Sequence, residues 1–158
     1  MQINNRIKLA VSVLLTVALG SLGGLFTIRE IPVWYAGLQK PSFNPPNWIF
    51  GPVWTLLYFL MGVSFYLIWK EHKSSLRNKA MVWFGVQFLL NFCWSMIFFH
   101  FHQTGWALVE IGCMWVAILI TILQFGKISS LAAWLLVPYI SWVSFASILN
   151  YAIWQLNH

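Results

Sequence analysis

Five apolar runs dominate this chain, near residues 7–28, 48–69, 80–101, 105–125 and 129–154. Each reaches the roughly 20 residues that a helix needs to cross the hydrocarbon core of a bilayer. Backbone in lipid must satisfy its own N–H and C=O groups, which leaves helices and closed barrels. The runs lack the alternation over about ten residues, with turn signals between, that marks barrel strands. The sequence therefore predicts an all-α membrane protein, a five-transmembrane-helix bundle forming a single integral membrane domain over residues 1–158. The first run opens with Arg6 and Lys8, as a signal peptide does, but stays apolar to Ile28. That exceeds a signal core of about 7–15 residues, so it is read as a span. It also carries Gly20 and Gly24 at the spacing that lets helices approach closely.

Composition excludes the soluble classes. The chain is 60% hydrophobic, 18% aromatic and 8% charged, against about 25% charged in soluble domains. The net charge of +6 does not signal nucleic acid, because the basic residues flank apolar runs. Arg6, Lys8, Lys70, Lys73, Arg77, Lys79 and Lys127 share one side of a five-span topology; only Arg29 and Lys40 lie on the other. The positive-inside rule then predicts an inside N-terminus and an outside C-terminus. Cys93 and Cys113 sit in apolar runs without metal or redox spacing and read as free thiols.

Residues 29–47 join the first two spans and read as a structured first loop. Five of the six prolines fall within residues 29–54, among Trp, Tyr and Phe. Proline fixes φ and removes an amide donor, so this stretch is no helix interior. With little Ser or Gly it is no flexible linker either. It reads as a stiff lid over a site for a flat, apolar ligand.

Helical spacing places residues three and four apart on one face. Trp54 and Tyr58 share a face of the second span. Asn91, Trp94, Ser95 and Phe98 cluster on the third. On the fourth, Glu110 aligns with Met114, and Ile111 with Trp115 and Ile118. On the fifth, Pro138, Trp142, Ala146 and Asn150 form a row. If these faces converge they enclose an aromatic cavity with a few polar groups, the usual build of a small-molecule site. Tryptophans near span ends, at 48, 69, 83, 106, 134 and 154, read instead as interface anchors. Glu110 is the one acid well inside a span and thus a functional candidate, with Gln87 and Asn91 as its expected partners. His100 and His102 lack a third ligand, so no metal is expected, and no cofactor is required.

The run Trp34-Tyr35-x-x-Leu38-x-Lys40-Pro41-Ser42-Phe43-x-Pro45-Pro46 resembles the first-loop signature of the translocator protein family, also called the tryptophan-rich sensory protein or peripheral benzodiazepine receptor family. The match continues at Gly51–Tyr58, Leu90–Phe99, Ala107–Glu110, Ala133–Ala146 and Leu149–Trp154, in the family's order. The resemblance implies a five-helix bundle, commonly a homodimer, whose cavity is closed by the first loop. It implies a receptor or sensor for porphyrins (protoporphyrin IX and haem-type tetrapyrroles) and aromatic drug-like ligands, linked to tetrapyrrole regulation and stress response. Porphyrin would then be ligand or substrate. The alternatives it implies are light- and oxygen-dependent porphyrin degradation, with Trp34 and Trp142 as the matching indoles, and tetrapyrrole or sterol transport. It also implies ligand contact by Ala146. Two departures stand out. Glu110 replaces the usual Asp, and the sterol motif at Leu149 and Tyr151 has no Lys or Arg after it, so no sterol-specific site is expected. The short tail and absent targeting sequence are those expected of a bacterial-type member in the cytoplasmic membrane, with no nucleic-acid partner.

Overall fold

The structure is a computed structural model that describes residues 4–158. Five helical segments in it are long and apolar enough to cross a membrane. Helix α1 spans Asn5–Glu30 and runs on through a π-helical turn, Ile31–Tyr35. Helix α2 spans Phe50–Trp69 after a short 3₁₀ turn at Asn47–Ile49; α3 spans Ser75–Ser95 and ends in a second π turn, Met96–His100. Helix α4 covers Thr104–Gly126. The fifth segment is broken into α5 (Ser130–Trp134) and α6 (Val137–Leu156). Among the described residues there is no strand.

The first loop is therefore shorter than 29–47, because α1 carries Trp34 and Tyr35 within its extension. Pro32 lies in the π turn. A proline inside an α-helix lacks a donor and its ring crowds the carbonyl four residues back. Widening the helix by one residue for a single turn absorbs both effects without ending it. Pro138 acts differently, falling in the first turn of α6, where a missing N–H costs nothing. The helix starts on the basic side of the bundle are capped by side chains. Asn4 Oδ1 accepts from Arg6 N–H at 3.0 Å, Ser74 Oγ from Arg77 N–H at 3.1 Å, and Ser129 Oγ from Ala132 N–H at 3.3 Å.

Helix α1 packs on α2 and α3, while α4 packs on α3, α5 and α6. Helices α1 and α2 approach closely at Gly62, where a Cβ would stand 2.5 Å from Thr16 Oγ1 and 2.7 Å from Val13 Cα. Thr16 Oγ1 donates across this contact to Tyr58 O at 2.9 Å. Gly20 serves a different contact, since a Cβ there would stand 2.6 Å from the Tyr58 ring, and Gly24 has nothing within 4 Å. The Gly20–Gly24 spacing is thus not a helix-crossing motif. The core is apolar and aromatic, centred on Met61, Ile111, Met114, Ile118, Tyr139 and Val143. A second cluster joins Tyr35, Phe98, Phe99, Ala107, Leu149 and Ile153. The outer faces carry exposed Leu14, Ile28, Val82, Leu89 and Leu123, as lipid contact requires.

Candidate functional site

A cavity of about 350 Å³ lies in the half of the bundle that bears the first loop. One wall is α1 with its π turn, through Gly20, Ser21, Gly24, Thr27, Ile28, Ile31 and Tyr35. Asn47, Trp48, Phe50, Gly51, Trp54, Thr55 and Tyr58 form the second. The end of α3 supplies Trp94, Ser95, Phe98 and Phe99; α6 supplies Trp142, Ala146, Leu149, Asn150 and Ile153. The floor is closed, with Tyr58 only 6% exposed, but Trp48 is 73% exposed. The cavity thus opens sideways, past Ser21 and Ile28 on α1 and Trp48, Gly51 and Thr55 by α2.

The aromatic walls brace one another. Trp54 stacks on Tyr58 with centroids 5.4 Å apart, Trp94 on Phe98 at 5.1 Å, and Trp142 meets Phe145 at 5.4 Å. Polar bonds fix their angles. Tyr58 O–H donates to Asn91 Oδ1 at 2.9 Å, and Asn91 Nδ2 donates to Tyr139 Oη at 3.3 Å. Trp94 Nε1 donates to Asn150 Oδ1 at 3.2 Å, while Asn150 Nδ2 donates to Thr104 O at 2.8 Å. Rings held by packing and hydrogen bonds present fixed π faces, which offset stacking with a flat ligand needs.

The loop over the cavity is tied at both ends. Tyr35 O–H donates to Asn44 Oδ1 at 2.7 Å, and Asn44 N–H to Pro41 O at 3.0 Å. Lys40 Nζ donates to Leu38 O at 2.9 Å and lies 5.0 Å from the Tyr35 ring centre. On the far side Asn157, beyond α6, mimics a backbone partner. Its Oδ1 accepts from Gln39 N–H and its Nδ2 donates to Gln39 O, both at 2.9 Å. Phe43 meets Phe145 edge-on at 6.4 Å.

Of the residues singled out from the sequence, Trp54, Tyr58, Trp94, Ser95, Phe98, Trp142 and Ala146 line this cavity. Asn91 stands one layer behind, holding Tyr58. Trp34 is not in the lining. It packs edge-on against Phe98 at 5.5 Å and stacks on His102 at 4.2 Å. Span four does not reach the cavity at all. Ile111, Met114 and Ile118 are buried in the core, and Trp115 Nε1 donates to Ser144 Oγ at 2.8 Å. The periodic row on α4 fills the bundle core, with Trp115 tied to α6, and does not line this cavity. Pro138 lies in the first turn of α6, one turn before Trp142, and is not part of the lining. Both Glu110 carboxyl oxygens are buried without a hydrogen-bond partner. Its expected partners are engaged or unpaired: Asn91 with the two tyrosines, Gln87 with nothing among the described residues. His100 and His102 diverge, the first against Phe26 and the second bonded to Glu30 at 3.1 Å.

The whole α1 wall was missed. Its glycines read as packing signals, and only the fold shows that Gly24 faces open space. Asn150 had a signal, as the next step of the Trp142–Ala146 row. Trp48 reads as an interface anchor yet also forms the cavity rim.

Fold and site together define a class: a five-span, multi-pass membrane protein with an aromatic intramembrane cavity beneath a proline-rich loop. The chain belongs to the TspO/MBR family, whose pattern matches residues 12–155. It is 44% identical to the Tryptophan-rich protein TspO of Archaeoglobus fulgidus over 154 residues, covering 97% of this chain and 99% of that protein. It is 45% identical to the human Translocator protein over 140 residues, 87% of this chain and 82% of that one. Similarity extends to the Tryptophan-rich protein TspO of Chlorobaculum tepidum, at 41% identity over 96% of both chains.

Proposed function

We propose that this protein is a membrane receptor or sensor that binds porphyrins, and aromatic drug-like ligands of similar shape, in the cavity between α1, α2, α3 and α6. The observation that carries the reading is that three indoles, Trp54, Trp94 and Trp142, share one mostly apolar surface, with a fourth, Trp48, at its open rim. Each offset-stacked pair contributes about 0.5–1.5 kcal/mol beyond burial. The volume of about 350 Å³ is at the lower end of small-molecule sites. A tetrapyrrole would therefore use the sideways opening as well, with Trp48 and Thr55 along its edge. The reading includes a cytoplasmic-membrane location, with the basic loops inside and the lid outside.

Titration of the purified protein with protoporphyrin IX in the dark tests it. Binding should quench tryptophan fluorescence saturably and shift the porphyrin absorbance band. Ala146→Leu, which puts a larger side chain on the cavity surface, should weaken binding by about tenfold, near 1.4 kcal/mol. Porphyrin spectra left unchanged by the wild-type protein would remove the proposal.

A second reading has one observation in its favour. Trp142, an indole matched to porphyrin breakdown, lines the cavity, whereas Trp34 stands behind Phe98. If light and oxygen drive degradation here, Trp142→Phe should slow porphyrin loss under illumination more than Trp34→Phe does. Equal loss in both variants and the wild type would eliminate it.

A further inference from the structure

Arg77 is a buried cation with no counter-ion among the described residues. It is 7% exposed, among neighbours from Glu71 to Lys79 that are all exposed. Its Nε is buried without a hydrogen-bond partner. Among the described residues the only ion pair is His102–Glu30, at the opposite end of the bundle. A guanidinium keeps its charge in any protein environment. Burying it unpaired is strongly unfavourable unless something supplies the missing charge and acceptors.

The surroundings point to an anion. Arg77 is the third residue of α3, a helix of 21 residues with no acid in its first turn. Helical side chains lean back toward the N-terminus, so the guanidinium is directed over the first turn. There the N–H groups of Ser75 and Leu76 have no intrahelical acceptor, and the helix dipole is positive. Lys70, Lys73, Lys79 and Lys127 belong to the same end of the bundle, as do Arg6 and Lys8. Lys70 and Lys8 are drawn against Tyr66 and Trp69, with Nζ 5.7 and 6.0 Å from the ring centres. Glu71, the one acid at this end, makes no ion pair among the described residues. Helix dipole, free N–H groups and clustered cations all favour negative charge at one place.

We propose that the start of α3 is a phosphate site, with Arg77 as its principal ligand, occupied by the headgroup of an anionic phospholipid. Arg77 lies on the bundle-facing row of α3 with buried Ala80, Phe84, Gln87 and Asn91, so the headgroup would tuck between helix ends while its acyl chains stay in the surrounding lipid. Basic pockets between helix ends are the usual setting for such headgroups.

The test compares melting temperatures of the purified full chain with added phosphatidylglycerol, phosphatidylcholine or inorganic phosphate. Phosphatidylglycerol should raise the wild-type midpoint by about 4 °C, and phosphatidylcholine should not. Arg77→Gln should lose most of that response, while Lys73→Gln keeps most of it. An equal rise with inorganic phosphate supports the same site with a soluble occupant. Identical phosphatidylglycerol responses in wild type and Arg77→Gln, or no response to either anion, overturn the proposal. If Arg77→Gln does not fold, native mass spectrometry of the wild type decides. Retention of phosphatidylglycerol at least about fivefold above phosphatidylcholine supports the site, and equal retention overturns it.

Discussion

Single side chains at the α1–α2 seam separate packing from ligand space. Gly62 and Gly24 are both glycines of spanning helices, but only Gly62 touches another backbone. Gly62→Leu must push α1 away and break the Thr16–Tyr58 bond. Overpacking of this kind costs about 1–3 kcal/mol, so a clear fall in thermal midpoint is expected. Gly24→Ala meets nothing within 4 Å and should hold the midpoint within about 0.5 kcal/mol. Porphyrin titration of both variants completes the comparison, since Gly24 borders the cavity and Gly62 does not. Tyr58 belongs to both worlds. Its ring covers Gly20 and its hydroxyl holds Asn91. Tyr58→Phe leaves Asn91 Oδ1 without its donor, a loss of about 1–2 kcal/mol. Differential scanning fluorimetry reads it directly.

At the scale of elements, the spans were legible because lipid enforces one rule over long stretches. Apolar length alone located all five, with ends displaced by up to seven residues. What escaped were the irregular places. Pro32 reads as a stop, yet the chain continues through a π turn that brings Tyr35 under the loop to hold Asn44. Such a turn depends on what the widened helix packs against, and no local pattern encodes that. The faces were half legible. Rows on α2, α3 and α6 led to the cavity because aromatic and polar residues alternate with small ones there. The row on α4 has the same spacing but fills the core, since periodicity shows that residues share a face and not what that face meets. The lid illustrates the long-range case. Its anchor is Asn157, 118 residues from Gln39. Asn157→Ala removes two bonds across the lid seam and should speed porphyrin dissociation by about tenfold, at a cost near 1.4 kcal/mol. Stopped-flow fluorescence measures this; an unchanged rate would mean that ligand leaves through the sideways opening instead.

Across the whole molecule, charge and chemistry segregate along one axis. One end carries Lys8, Lys70, Lys73, Arg77, Lys79 and Lys127; the other carries the lid, the cavity and the His102–Glu30 pair. The same asymmetry that would orient the bundle also separates a greasy site from a cationic one. If the basic end faces inward, as the charge rule requires, ligands reach the cavity from the outer leaflet side. Anionic headgroups would meet the bundle only at the other face. Cysteine accessibility in intact cells tests the arrangement as one object. In a background with Cys93 and Cys113 replaced by alanine, Ser42→Cys on the lid should react with a membrane-impermeant maleimide added outside. Ser75→Cys at the start of α3 should react only after permeabilisation. Reversal of the two would invert the topology, and with it both the side from which porphyrin arrives and the leaflet whose phosphates Arg77 meets.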